Sequence, residues 1–220
     1  MVFTGKVLIV GGTQGIGKAV AEALGQDAVV WSRRLGVDAA DPDSLARAMQ
    51  RDFGTAPPWG LVHSIGDFVE QPLLTTSAKD FKHLVESNLG SLLHTLQQVV
   101  PAMVRARRGR VVLFAAAGVE RQRAMTRAPV YFAIKAAVVQ MARSLAAEVA
   151  GSNVTVNVIS PGLIAHEHSH LVSQQRLLPR VPVMRLGNVA DVVRCVLWLL
   201  AEDAGYVTGD NFTIDGGMQI

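Results

Sequence analysis

Short runs rich in valine and isoleucine alternate along this chain with longer segments of helical period. Repeated strand-helix-strand units of this kind bury their apolar faces by forming a parallel sheet with helices on both sides. The runs predict strands near Val7–Val10, Ala28–Trp31, Gly60–Ser64, Arg110–Phe114, Thr155–Ser160 and Asn211–Ile214. The helical segments lie near Gly15–Leu24, Asp43–Phe53, Ala78–Val104, Val130–Ala150 and Val189–Ala201. The third begins after Thr75-Thr76-Ser77, which offers capping hydroxyls, and stops before Gly109. With 220 residues and neither a low-complexity linker nor a short repeat, the expectation is one doubly wound α/β domain spanning 1–220.

Half of the residues are apolar and 18% charged, with a mean hydropathy of +0.28, which argues for heavy burial and against disorder. Arg143, Glu148 and Arg194 interrupt the longest apolar stretches, so no uninterrupted run reaches the roughly eighteen residues of a membrane span. The excess apolar surface is assigned to strands buried on both faces or to a subunit interface. The start Met1-Val2-Phe3-Thr4-Gly5-Lys6-Val7 runs directly into a strand pattern without the layout of a secretory signal, and the expected location is cytoplasmic. Cys195 is the single cysteine and, among apolar neighbours, reads as an inert buried thiol. A net charge of +3, without a lysine-rich tail or an aromatic-interleaved basic strand, argues against a nucleic-acid partner; the expected partner is a small-molecule substrate, with no membrane. Arg105, Arg107, Arg108 and Arg110 read as a solvated turn.

The first run leads into Gly11-Gly12-Thr13-Gln14-Gly15-Ile16-Gly17, immediately before a helical pattern. Glycines at 11, 15 and 17 allow a tight turn and close approach of a pyrophosphate to helix N-terminal amides, the dinucleotide-binding arrangement of a Rossmann-type sheet. The second run ends in Ser32-Arg33-Arg34, with no carboxylate to accept from an adenosine ribose. A hydroxyl followed by two guanidiniums matches a 2′-phosphate, so NADP(H) is expected in preference to NAD(H). Tyr131 and Lys135, four apart, meet on one helix face, where an ammonium can tune a phenol for proton transfer.

These motifs, with Asp38 in Val37-Asp38-Ala39, Asn88 in Ser87-Asn88-Leu89-Gly90, Asn157-x-Ile159-Ser160-Pro161-Gly162, Arg185-Leu186-Gly187 and Thr208-Gly209-x-x-x-Thr213-Ile214-Asp215-Gly216-Gly217, occur in the order of the short-chain dehydrogenase/reductase family. The chain resembles its classical members over essentially its whole length. That resemblance implies a sheet of about seven strands, an NADP(H) oxidoreductase, and a dimer or tetramer built through the helices at Ala78–Val104 and Val130–Ala150. It further implies that Gly11, Thr13, Gln14, Gly15, Ile16 and Gly17 hold the cofactor phosphates and that Asp38 and Ala39 meet the adenine. Pro161, Gly162 and Ile164 would line the nicotinamide side. Tyr131 would be the general acid, Lys135 would bond the nicotinamide ribose and lower the tyrosine pKa, and Asn88 would hold a helix distortion and a relay water. His63-Ser64-Ile65-Gly66 is similar to the corresponding cofactor-side loop of enoyl-acyl carrier protein reductases, which places Ser64, Ile65 and Gly66 among the cofactor contacts.

The chain departs from the family at Ala115-Ala116-Ala117, where the catalytic serine would stand near Ala115 or Ala116. Losing a preorganised donor typically costs a hundredfold to a thousandfold in rate, on the order of 3–4 kcal/mol. Dihydropteridine reductases resemble the chain in keeping tyrosine and lysine with alanine at this position. The leading expectation is therefore hydride transfer from NADPH to a carbonyl, conjugated or pterin-like acceptor with Tyr131 as acid. The alternatives are a 3-oxoacyl or ketone reductase with a donor relocated to Arg121, Arg123, Thr126 or Ser64, and a non-catalytic NADP(H) sensor. The segment 163–185 would be a substrate lid. Its His166-Glu167-His168-Ser169-His170 run, at extended spacing without a demonstrated fourth ligand, reads as polar lid and not as a metal site.

Overall fold

The computed structural model describes residues 4–121, 124–165, 167 and 176–220. Six parallel strands form the central sheet: β1 (Val7–Val10), β2 (Ala28–Trp31), β3 (Gly60–His63), β4 (Gly109–Phe114), β5 (Val154–Pro161) and β8 (Asn211–Ile214), in the order β2-β1-β3-β4-β5-β8. Because side chains alternate across a sheet, each continuous apolar run feeds two cores. Leu8, Val10, Leu61, Val111 and Leu113 pack with α2 (Pro42–Asp52), α4 (Ser91–Ala106) and α5 (Pro129–Val149). Val7, Ile9, Val62 and Val112 pack with α1 (Gly15–Leu24) and α6 (Val189–Leu200). The strand order reverses at β1, with β2 on one side and β3 on the other, and the crevice beyond these strand ends is where such sheets bind ligands.

The expected seven strands are six in this sheet, with a separate two-residue pair of β6 (Ile164–Ala165) and β7 (Gly187–Asn188). The reason lies after β2. A 3-10 turn at Arg33–Leu35, a left-handed Gly36 (φ 78°) and the Asp41 side chain, which accepts from Asp43 N–H at the start of α2, leave no extended stretch to pair with β2. The single helix expected over Ala78–Val104 is instead α3 (Ala78–Val85), a π-turn at Glu86–Gly90, and α4. Side chains take over backbone acceptors there: Asn88 Nδ2 donates to the carbonyls of Leu84 (3.0 Å) and Asp67 (3.1 Å), and Ser91 Oγ donates to that of Ser87 (2.6 Å).

Two further readings change. Arg110 is not solvated: it is 2% exposed, lies over the Trp59 ring at 4.9 Å, and donates to the carbonyls of Gly109, Ala201 and Glu202 at the end of the sheet away from the crevice. By length and composition one helical stretch, Pro129–Ser152, with hydropathy 1.2, does reach what a membrane span requires. Its residues Val138, Val139, Ala142, Ala146 and Val149 are buried in the α4–α5 core.

Candidate active site

At the C-terminal end of β1 the chain turns through space that only glycine leaves open. A Cβ on Gly17 would lie 2.3 Å from Ser64 Oγ and 2.6 Å from the Gly11 carbonyl oxygen, and one on Gly12 would lie 2.9 Å from side-chain carbons of Ile9 and Val30. Gly11 itself has φ +94°. Ser64 closes this turn from the β3 side, donating both its N–H (2.8 Å) and its Oγ–H (3.0 Å) to the Val10 carbonyl. Gln14 occupies the N-cap of α1 without a side-chain cap, and no acidic residue stands in the first turn. The α1 amides therefore meet Gly15 and Ile16 with their partial positive charge available for an anion. A carboxylate already approaches it: Glu167 Oε1 accepts from Gly15 N–H at 3.5 Å, and its Oε2 is 3.9 Å from Lys18 Nζ. Thr13 is half-buried beside the same turn.

At the end of β2, the Ser32 hydroxyl is buried without a partner. Arg33 and Arg34 are exposed, and neither forms an ion pair among the described residues. Asp38 accepts from Ala40 N–H and shapes the following turn, its own N–H donating to Ser44 Oγ. Ala39 is buried in the core with Leu45 and Ala48. Glycine cradle, orphaned Ser32 hydroxyl and unpaired guanidiniums suit a dinucleotide carrying an extra phosphate.

The other half of the crevice gathers Gly66, Asn88, Tyr131 and Lys135. A Cβ on Gly66 would sit 2.4 Å from Asn88 Oδ1 and 2.7 Å from Lys135 Nζ, so the glycine leaves both groups room over the same spot. Asn88 Oδ1 is buried with no partner. Lys135, 4% exposed, donates to the Phe114 carbonyl at 3.1 Å and lies 5.7 Å from the Tyr131 ring centroid, while Phe68 covers that ring edge-on at 4.9 Å. Burial pushes the Lys135 ammonium down to about 8, with Asp67 opposing the shift, and pushes the Tyr131 phenol up to about 12. The expected lowering of the tyrosine pKa is absent because the ammonium is turned to the Phe114 carbonyl and burial governs the phenol. At neutral pH this corner thus holds a protonated phenol beside an ammonium.

The ends of β4 and β5 approach here through Ala115 N–H to Ile159 O (2.9 Å) and Ala117 N–H to Pro161 O (3.0 Å). Ala115 packs in the α4–α5 core, and Ala116 and Ala117 are buried at the same strand end. Gly162 N–H donates to Ile214 O (2.9 Å), and a Cβ on Gly162 would lie 2.7 Å from Asp215 Cβ; Ile164 is buried against α6. Ile65 packs against the α4–α5 core.

Among the candidate replacement donors, Ser64 is committed to Val10, and Arg121 lines a cavity of about 850 Å³ beside β8 with Glu120, Asn211, Asp215 and Gln219. Thr126 is exposed. Arg123, His166, His168, Ser169 and His170 lie outside the described residues. Sequence reasoning passed over Phe68, and over His63 and Ser91 as site residues; a histidine closing an otherwise apolar strand was the available signal for the last two.

A family model described as Enoyl-(Acyl carrier protein) reductase matches residues 12–219. The chain is 30% identical to the 3-oxoacyl-[acyl-carrier-protein] reductase FabG of Haemophilus influenzae, over 98% of this chain and 99% of that one. A short-chain type dehydrogenase/reductase from Mycobacterium ulcerans has a similar structure, with TM-score 0.90 and 25% identity over 99% of this chain and 91% of the other. A 3-oxoacyl-[acyl-carrier protein] reductase with bound NAD from Brucella melitensis is similar at TM-score 0.86 and 26% identity, over 99% and 92%.

Proposed function

The chain belongs to the short-chain dehydrogenase/reductase family, and from that premise we propose that it reduces an activated carbonyl of the 3-oxoacyl kind at the expense of NADPH, with Tyr131 as proton donor. The observation that carries this reading is the juxtaposition of Asn88 Oδ1 and Lys135 Nζ across Gly66, on the helix that bears Tyr131. When bound, the nicotinamide supplies the hydride. Gly11, Thr13, Gln14, Gly15, Ile16 and Gly17 hold its phosphates, and Ser32, Arg33 and Arg34 select the 2′-phosphate. Asp38 and Ala39 border the adenine, while Ser64, Ile65, Gly66, Pro161, Gly162 and Ile164 flank the nicotinamide half.

The chain's own residues manage the proton. Tyr131, held protonated by burial, gives its hydroxyl proton to the acceptor oxygen as negative charge develops there. The resulting phenolate is stabilised by the Lys135 ammonium, and a proton returns to it from solvent past Lys135 and Asn88. With Ala115 and Ala116 where a hydroxyl would stand, one oxyanion donor is missing. An acceptor whose carbonyl is already polarised, as in a 3-oxoacyl thioester or a β-diketone, loses least by this.

The test is NADPH oxidation with a 3-oxoacyl thioester, a β-diketone, a quinonoid pterin and a simple ketone. Tyr131→Phe is expected to lower kcat on the best acceptor by about a hundredfold or more while leaving NADPH affinity within about twofold. Turnover unaffected by Tyr131→Phe would overturn the assignment of the acid. NADPH binding without turnover of any acceptor would favour a cofactor-binding sensor, the reading that the alanine triplet supports.

A further inference from the structure

His63 closes β3 in an environment where an apolar side chain would serve packing alone. It is 3% exposed, and its Nε2 lies 3.4 Å from Ser91 Oγ, itself 3% exposed. Ser91 gives its single hydroxyl proton to the Ser87 carbonyl at 2.6 Å, so its oxygen is left to accept from an imidazole N–H. Burial, with the nearby Lys135 charge adding to it, lowers the imidazole to about 3 and keeps it neutral. One nitrogen of the neutral ring carries a proton, and the Ser91 contact selects the Nε2–H tautomer.

The Ser87 carbonyl belongs to the π-turn that carries Asn88. The same β3 loop reaches this turn at two further places: the Asp67 carbonyl accepts from Asn88 Nδ2 at 3.1 Å, and Gly66 passes close to Asn88 Oδ1. His63 and Asp67 therefore tie the loop by hydrogen bonds to Ser91, the residue after the π-turn, and to Asn88 within it, with Gly66 in close approach between them; the His63 bond is one that only a side chain can make. A π-turn exchanges the i+4 partners of its carbonyls for i+5 ones, as Ser91 N–H to the Glu86 carbonyl shows, an arrangement that helices adopt rarely and mostly as single turns. Whatever holds Ser87 in place also sets the direction of the adjoining Asn88.

We propose that His63 is a positioning residue for proton transfer: through Ser91 it secures the π-turn and so keeps the unpartnered Asn88 Oδ1 over Gly66, beside the Lys135 ammonium. This rests on the reading of the Tyr131–Lys135–Asn88 corner as the proton-transfer site. The link is one hydrogen bond deep in the protein, so its loss is expected to lower turnover on the order of tenfold.

The experiment compares His63→Leu, His63→Gln and Ser91→Ala with Tyr131→Phe, using NADPH and a β-diketone. Gln offers an amide N–H with a reach similar to that of imidazole Nε2. His63→Leu and Ser91→Ala are expected to reduce kcat about tenfold with KM for NADPH little changed, and His63→Gln to restore most of the loss. Amide hydrogen exchange over Glu86–Ser91 is expected to quicken in His63→Leu and Ser91→Ala and to return towards the parent rate in His63→Gln. Equal losses in Leu and Gln variants would reduce His63 to a packing role, and parent-like exchange in both His63→Leu and Ser91→Ala would overturn the proposal. Should His63→Leu fail to fold, Ser91→Ala carries both readouts. Should Tyr131→Phe leave turnover intact, the acid assignment falls, while the exchange measurements still decide whether His63 holds the π-turn.

Discussion

The two halves of the crevice are built on different principles. The cradle after β1 is defined by absent atoms: Gly12 and Gly17 have backbone or core side chains where a Cβ would stand, and Ser64 fixes their partner loop. The corner of Asn88, Tyr131 and Lys135 is defined by atoms present: the unpartnered Asn88 Oδ1 and the Lys135 ammonium, which donates to the Phe114 carbonyl, both lie over Gly66. The first tolerates little variation because backbone cannot yield; the second depends on hydrogen bonds that can be redirected. Substitutions in the cradle should therefore abolish cofactor binding, and substitutions in the corner should spare binding and remove turnover.

The sharpest way to break this contrast is Gly17→Ala. The new methyl would stand 2.3 Å from Ser64 Oγ, 2.6 Å from the Gly11 carbonyl oxygen and 3.1 Å from its carbon, and the Gly11 backbone cannot move far. A clash of this kind costs about 1–3 kcal/mol, and because the same turn must admit a pyrophosphate, NADPH affinity should fall up to about a hundredfold. Fluorescence titration of NADPH, alongside a thermal melt, measures it. Affinity near that of the parent would mean that the cradle is not rigid.

Gly66→Ala places its methyl against Asn88 Oδ1 and Lys135 Nζ, which are side-chain termini and can swing away. Steady-state kinetics should show kcat reduced roughly tenfold, with NADPH affinity altered by less than about threefold. A large affinity loss instead would merge the corner with the cradle.

How much of each half was legible in the sequence follows from the same difference. The spacing of Gly11, Gly15 and Gly17 directly after Val7–Val10 encodes the cradle because chain sterics there are local. Tyr131 and Lys135 were legible because a helix fixes their spacing. The break in the helix expected over Ala78–Val104 was not visible in the periodicity, which continues across Glu86–Gly90; only the family resemblance implied a distortion at Asn88, and the contact of Asn88 with the Asp67 carbonyl shows what holds it. The direction of Lys135 was hidden for a similar reason: the Phe114 carbonyl that accepts its hydrogen bond lies on another element. The absent edge strand after β2 was a local matter, decided by turns at Gly36 and Asp38 that outweigh the apolar Val37.

The cofactor preference tests the cradle's outer rim, where exposure makes effects smaller. Arg33 and Arg34 project without ion-pair partners among the described residues, beside the buried, unpartnered Ser32 hydroxyl. Replacing both with alanine should weaken NADPH about tenfold and leave NADH within about twofold, because only the 2′-phosphate is addressed by the guanidiniums. Equal effects on both cofactors, measured by competitive titration, would remove these arginines from the recognition of the extra phosphate.

The smallest effect concerns Glu167, whose carboxylate meets Gly15 N–H and Lys18 at the α1 N-terminus. A carboxylate there gains from the helix dipole, but the contact is long and its side chain is 48% exposed, so water and salt weaken it. A cofactor pyrophosphate delivered to the same amides would meet this negative charge and have to displace or repel it. Glu167→Gln keeps the shape and removes the charge, so NADPH should bind about two- to fivefold more tightly at low ionic strength. The gain should shrink towards nothing as salt is raised, because screening removes the repulsion that the variant abolishes. Tighter binding that persisted undiminished at high salt would point to shape and not charge. Weaker binding would mean that Glu167 supports the bound cofactor, and the α1 terminus would then be a site that its own chain helps to build.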